Sequence, residues 1–272
     1  MGKQAQKAYK NLEFLNSSEA RILRIASEYL EPRVRFHKNN VEDTVVFFGS
    51  ARTLDMETAE KRLAAAAAKY QADPSDENRR ENAKAEKRLE LARYYEDART
   101  LSRLVTEWSL GLSKEEGHFL VASGGGPGIM EAVNRGASEV PGGRSVGLNI
   151  SIPMEQGSNQ YITDELNFEF HYFFTRKFWF IYLAKALVIF PGGFGTLDEF
   201  FECLTLLQTE KVNKEMPIIL YGKKYWNSLI NFDALVDNMM INKEDLNLFR
   251  FSDSPEDAFT YLKDELSRLH QL

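Results

Sequence analysis

The chain has 272 residues, 43% of them hydrophobic, enough to bury a substantial core as one large domain or two small ones. Its 34 basic and 40 acidic residues leave a formal charge of −6, which argues against nucleic acid as a partner because neutralising phosphates needs a basic surface. Cys203 is the single cysteine, and the four histidines (His37, His118, His171, His270) stand at no metal-ligand spacing, so neither a disulfide nor a metal site is expected.

In chain order, residues 1–40 read as a charged, peripheral helical extension, with Ser17 of "SSEARILRIASEYL" as the candidate cap. The opening "MGKQAQKAYKNLEF" lacks the apolar run of a signal peptide, and the apolar-rich stretch Phe178 to Phe190 contains Lys185 and is too short to span a bilayer. A cytoplasmic protein with no membrane partner is the expectation. Five buried strands are expected, at Thr44–Phe48, His118–Ala122, Ser145–Ile150, Ala186–Phe190 and Pro217–Tyr221. Each is β-branched or aromatic-rich, with glycine or proline close behind. Residues 54–112 are rich in Ala, Glu, Lys and Arg and read as two helices broken at "ADPSD". They are expected to form an antiparallel pair inserted after the first strand, a packing or oligomer surface. Helical patterns follow "GGGPGIMEAV" and "PGGFGTLDEF", so strand, glycine turn and helix alternate. That alternation predicts an α/β fold, a parallel sheet wrapped by helices, with ligands beyond the carboxyl ends of the strands.

Both glycine loops fall at such strand ends. In "FLVASGGGPGIMEAVNRGA", Gly124, Gly125, Gly126 and Gly128 let backbone N–H groups approach an anion at a helix N-terminus. The dinucleotide fingerprint fails, because Ile129 stands at its last glycine and Asn149 where an acidic residue is required. The P-loop lysine is absent too. A monophosphate site remains, against the alternative of a tight turn alone. In "PGGFGTLDEFFECLTLLQ", Thr196 and Glu199 match a capping box, and Phe200, Leu204 and Leu207 form a buried stripe. Capping does not account for Pro191, Gly192 and Gly193. On the functional alternative these glycines and the Thr196 hydroxyl bind phosphate, and Glu199 faces whatever lies beside it. Asp198 is read as a first-turn partner of the helix dipole. Upstream, Arg176 and Lys177 lie on a helix; a guanidinium can fork onto phosphate or sugar oxygens, though a surface Arg-Lys pair is the plain alternative.

On these residues the chain resembles the LOG (Lonely Guy) family, often labelled "lysine decarboxylase-like". "PGGFGTLDE" fits its P-G-G-x-G-T-x-x-E signature, and "TRK" matches its Arg-Lys pair, with Arg176 preceding Glu199 by the family spacing of 199 − 176 = 23 residues. "FFGSAR" with Gly49 and Ser50 matches the end of its first strand, "SGGGPGIMEAV" its glycine loop, and "GLNISIPMEQGSNQYIT" the third-strand segment of one bacterial branch. The resemblance implies a Rossmann-like three-layer domain over 1–272, carrying the extension 1–40 and the helical insertion 54–112. It also implies a homodimer with active sites close to the interface, and no cofactor. The implied activity is that of a cytokinin riboside 5′-monophosphate phosphoribohydrolase or a related nucleoside 5′-monophosphate nucleosidase. Arg176 and Glu199 then occupy the catalytic positions, and Lys177, Gly192, Gly193, Phe194, Gly195, Thr196, Asp198 and Glu155 nucleotide-binding ones. Aromatic residues around Phe173 and Phe178 replace the family's methionine and histidine, a departure that bears on base preference. The alternative is a non-catalytic nucleotide or molybdenum-cofactor carrier, in which the same loops bind phosphate and Glu199 is only a cap.

Overall fold

Among the described residues seven strands form one sheet in which every neighbouring pair is parallel: β1 (Asp43–Phe48), β2 (Phe119–Ser123), β3 (Ser145–Ile150), β4 (Asn167–Phe170), β5 (Ala184–Ile189), β6 (Ile218–Tyr221) and β7 (Arg250–Ser252). Their order is β4-β3-β2-β1-β5-β6-β7. The structure is a computed structural model that describes residues 5–112, 119–153 and 157–272. The five expected strands are present, although His118, the expected start of the second, lies outside the described residues. The two additional strands are the sheet's edges. β4 has four residues with only Phe168 and Phe170 buried, and β7 has three, so neither carries the long apolar run that marks a strand buried on both faces.

The helices are α1 (Leu12–Leu15), α2 (Arg21–Lys38), α3 (Met56–Ala72), α4 (Asp76–Gly111), α5 (Ile129–Ser138), α6 (Phe173–Leu183), α7 (Phe194–Gln208), α8 (Lys223–Leu229), α9 (Phe232–Asp237) and α10 (Pro255–His270). They cover the sheet on two faces, and alternation along β1 shows why. Val45 and Phe47 point into a core shared with Tyr95 and Leu101 of α4, Val133 of α5 and Leu262 of α10. Val46 and Phe48 point into the opposite core, with Phe36 of α2, Trp179 and Phe180 of α6, and Phe200 of α7. The result is a Rossmann-like three-layer α/β fold. Among the described residues no helix is long and apolar enough to cross a membrane.

Two local expectations are corrected. The helices broken at "ADPSD" are α3 and α4, capped by Asp55 and Ser75, whose side chains accept from the N–H groups of Thr58 and Asn78. The second half of α4 is more than an appended surface. Tyr94, Tyr95, Ala98, Leu101 and Val105 are buried there, so this segment is the β1-to-β2 crossover that roofs one face of the sheet. At the N-terminus, α2 begins after Ala20 with no side-chain cap, and the Ser17 hydroxyl instead donates to the Phe14 carbonyl at 2.7 Å.

The crossover packs closely on α5. A Cβ added to Gly136 would lie 2.1 Å from the Arg99 carbonyl oxygen, a backbone atom that cannot swing away. We expect Gly136→Ala to destabilise the fold by about 1–3 kcal/mol, the range of overpacking, in urea denaturation. An unchanged midpoint would contradict this helix contact.

Candidate functional site

Strand order reverses between β1 and β5, and in open parallel sheets the crevice at such a reversal is where ligands bind. Three loops meet there. The Ser50 N–H donates to the Pro191 carbonyl at 3.0 Å, and the Ile129 N–H donates to the Ser50 carbonyl at 3.1 Å. Gly49 and Ser50 thus join the end of β1 to both glycine loops. Gly128 has a φ of 72°, and a Cβ on it would stand 2.4 Å from the Ser50 oxygen; only glycine meets both demands. Gly125, with φ 74°, fits against the Asn149 amide in the same way, its absent Cβ 2.3 Å from Oδ1.

The loop backbone is fixed by a polar network that the sequence did not reveal. Asn159 donates from its backbone N–H to the Gly125 carbonyl at 2.8 Å. From Nδ2 it donates to the Gly125 and Gly126 carbonyls at 2.9 and 3.1 Å and to Asn134 Oδ1 at 2.9 Å. Asn134, fully buried, also accepts from the Ser123 hydroxyl at 2.7 Å and donates to Ser145 Oγ at 3.0 Å. These partners are too far apart in the chain to form a local motif. Gly124 abuts the Met130 thioether.

Across the crevice, α6 runs into the start of β5 and α7 leaves its end. α7 starts at Phe194 with Gly193 as its N-cap and no side-chain cap bond, so the expected Thr196–Glu199 capping box does not form. Thr196 is the third helical residue, and its hydroxyl fills the space where Gly192 would carry a Cβ. Gly193 and Gly195 face open space, and Phe194 is 93% exposed. The Gly192 carbonyl accepts from the Tyr225 hydroxyl at 2.6 Å.

With the helix start moved forward, Glu199 turns toward α6. Arg176 Nη2 stands 3.3 Å from Glu199 Oε1, with only 13% and 4% of the two side chains exposed. Lys177 Nζ lies 2.7 Å from Asp198 Oδ2, 2.7 Å from Glu202 Oε2 and 3.8 Å from Glu199 Oε2. Asp198 is therefore an ion-pair partner of Lys177, past the first turn of α7, and the dipole role expected for it is corrected. Arg176 and Lys177 contribute two positive charges against three carboxylates, so this side of the crevice is acidic when Glu199 is ionised. Arg176 Nε and Glu199 Oε2 are buried without a hydrogen-bond partner among the described residues, capacity for a bound molecule. Beside the cluster a shallow cavity of about 560 Å³ is lined by Lys177, Phe194, Leu197, Asp198, Phe201 and Glu202. Glu155, also expected at the site, lies outside the described residues.

Burial pushes the Glu199 carboxyl up to about 7, with Arg176 and Lys177 opposing and Glu202 and Asp198 reinforcing the rise. Burial lowers the Arg176 pKa as well, but a guanidinium starts too high to lose its proton near neutrality. Lys177 shifts the other way: burial depresses it, yet its bonds to Asp198 and Glu202 outweigh that and hold it protonated.

Two comparisons with known proteins bear on this arrangement. Residues 130–262, running from α5 through α10, match the family described as "Possible lysine decarboxylase". The resemblance to the LOG family is borne out. A rice protein (Oryza sativa subsp. japonica) described as "Probable cytokinin riboside 5'-monophosphate phosphoribohydrolase LOG4" is 29% identical over 146 residues, which cover 53% of this chain and 61% of the relative. The chain thus spans about three fifths of the length of the curated relative it matches. A lysine decarboxylase would call for pyridoxal phosphate, which needs a lysine amine free to form a Schiff base. The residues present do not fit it. Lys177 is tied up among carboxylates, while Lys214 donates to the Ile181, Tyr182 and Ala184 carbonyls and Lys185 pairs with Asp43, both at the opposite end of β5.

The folded pKa of Glu199 exceeds its unfolded 4.5, so the folded chain holds this proton more tightly. That stabilisation is complete below pH 4.5 and is lost as pH rises through about 7. Relative to wild type, Glu199→Gln should gain about 2–3 kcal/mol in urea denaturation between pH 4.5 and 8. Parallel pH profiles would show that the carboxyl titrates normally.

Proposed function

We propose that the protein hydrolyses the N-glycosidic bond of a nucleoside 5′-monophosphate, AMP or a cytokinin riboside monophosphate, releasing the free base and ribose 5-phosphate. The observation that carries this reading is the buried contact of Arg176 with Glu199 beside a crevice walled by glycine loops. The matched family and the activity named for the rice relative support it.

The 5′-phosphate enters the crevice where β1, β2 and β5 end, held by main-chain amides and the N-termini of α5 and α7. Gly124, Gly126, Gly128, Gly192, Gly193, Gly195 and Thr196 build that cradle, and Gly49, Ser50 and Gly125 shape its wall, the Ser50 and Gly125 N–H groups already donating to the Pro191 carbonyl and the Ser123 hydroxyl. Amides suit this task, since the nearby cluster carries more negative than positive charge and Lys177 is occupied by its carboxylates. The exposed rings of Phe194 and Phe173 give the base a stacking surface, and Glu155 stands in the segment expected near the ribose or base.

The C1′–N bond breaks through an oxocarbenium-like state, its electron pair leaving with the base. Glu199, ionised, stabilises the positive sugar and takes a proton from the attacking water as the water oxygen bonds to C1′; the base acquires its proton from solvent. Arg176 holds ribose or phosphate oxygens in register and keeps Glu199 oriented through their 3.3 Å contact. No cofactor enters the balance. The same reading includes a cytoplasmic homodimer without nucleic-acid or membrane partners. Phe173, Phe174, Phe178 and Tyr182 expose a row of aromatic rings along α6 that a second copy would cover.

Incubation with AMP should yield adenine and ribose 5-phosphate in equal amounts, with a dimer in sedimentation velocity. Glu199→Ala should lower kcat by about 10²- to 10⁴-fold, the span of general-base loss, while remaining folded. In wild type kcat/KM should fall as pH drops through about 7, when Glu199 takes up its proton. A folded Glu199→Ala variant with full activity would remove the mechanism, and tight AMP binding without turnover would favour a carrier.

A further inference from the structure

α6 carries Arg176 in its first turn, yet its own N-cap, Tyr172, supplies no side-chain cap. The cap comes from the other end of the chain. Glu28, on α2, accepts from the His171 N–H at 2.7 Å through Oε1 and from the Tyr172 N–H at 3.2 Å through Oε2. The same Oε2 accepts the hydroxyl of Thr175, the residue preceding Arg176, and the Glu28 carbonyl accepts from Trp179 Nε1 at 3.0 Å. Aromatic packing keeps α2 against α6: Tyr29 lies 5.2 Å from Phe178, and Phe36 lies 5.4 Å from Trp179, between ring centroids.

We infer that Glu28 is a positioning residue for Arg176, its carboxylate fixing the first turn of α6 so that the guanidinium stays on Glu199. A carboxylate at a helix N-terminus satisfies N–H groups left without helical partners and is favoured by the helix dipole. Here it closes the turn in which the Arg176 N–H donates to the Tyr172 carbonyl, at a long 3.3 Å. Thr175 links the two, its single hydroxyl proton shared between the Tyr172 carbonyl, at 2.8 Å, and Glu28. α2 lies outside the region matched to the family, so this support belongs to the extension and not to the matched core. The inference rests on the proposed role of Arg176.

The test uses the full chain with Glu28→Ala and Glu28→Gln, each made alone and in an Arg176→Lys background. Kinetics with AMP are read well below the melting temperature, together with hydrogen exchange at amides 172–177. A lost cap and a loosened guanidinium predict a fall in kcat of about tenfold for Glu28→Ala, with KM within about twofold because the main-chain amides carry most of the phosphate grip. In the Arg176→Lys background the same substitution should cost less than about twofold, since residues acting through one another are not additive. Exchange should quicken across the first turn of α6. Glu28→Gln, which keeps acceptor oxygen without charge, should fall between, and it replaces Glu28→Ala if that variant does not fold. An unchanged kcat, or an equal loss in both backgrounds, overturns the inference, because a purely structural anchor would act independently of Arg176. If wild type itself cleaves no nucleotide, the nucleosidase reading fails separately. Exchange then decides alone, and unaltered protection of the first turn overturns the cap.

Discussion

The site depends on one contact, the approach of the Arg176 guanidinium to the Glu199 carboxylate between α6 and α7. Burial disfavours both charges. They coexist because each is the other's principal partner, and because Lys177 adds a second positive charge 3.8 Å from Glu199. β5 sets the geometry. α6 runs into its start and α7 leaves its end through Pro191, Gly192 and Gly193, so six strand residues determine how two helices present their side chains to one crevice. Those six lie beside β1 at the centre of the sheet, and all but Lys185 are fully buried. Such a strand is a rigid ruler.

On the proposed reading, the groups around that contact divide the recognition of a nucleotide by type of force. Main-chain amides at three strand ends suit an anion, and they need no cation of their own. The acidic cluster of Asp198, Glu199 and Glu202 suits a centre that becomes positive, and Lys177 and Arg176 keep the carboxylates from repelling one another. The raised pKa of Glu199 follows from the same burial that excludes water from the pair, so the proposed reactivity and the local instability share a cause.

Much of the fold was legible because a central parallel strand must be apolar on both faces, as Val45, Val46, Phe47 and Phe48 are. Edge strands obey no such demand, and β4 and β7 were missed on that account. The expected capping box shows a different limit. Thr196 and Glu199 fit the pattern, but a helix that starts at Phe194 places Thr196 inside, and Glu199 reaches α6 instead of its own first turn. A local motif cannot report which residue opens the helix when glycines before it accept either choice. Asn134, Asn159 and Glu28 were invisible for a further reason: each acts on backbone groups or amides that are remote in the chain and adjacent only once the sheet has formed. Residues 54–112 were read as an inserted packing or oligomer surface, whereas Tyr95, Ala98, Leu101 and Val105, every third or fourth residue in the second half of α4, are buried in the core on one face of the sheet.

The most direct measurement is a crystal structure of Glu199→Gln soaked with AMP. The account predicts phosphate oxygens within hydrogen-bond distance of the amides around Gly124–Gly126 and Gly192–Gly193. It also places C1′ of the ribose against residue 199, with Arg176 on ribose or phosphate oxygens. Nucleotide bound with its phosphate away from those amides, or with its sugar out of reach of Arg176 and residue 199, would contradict it.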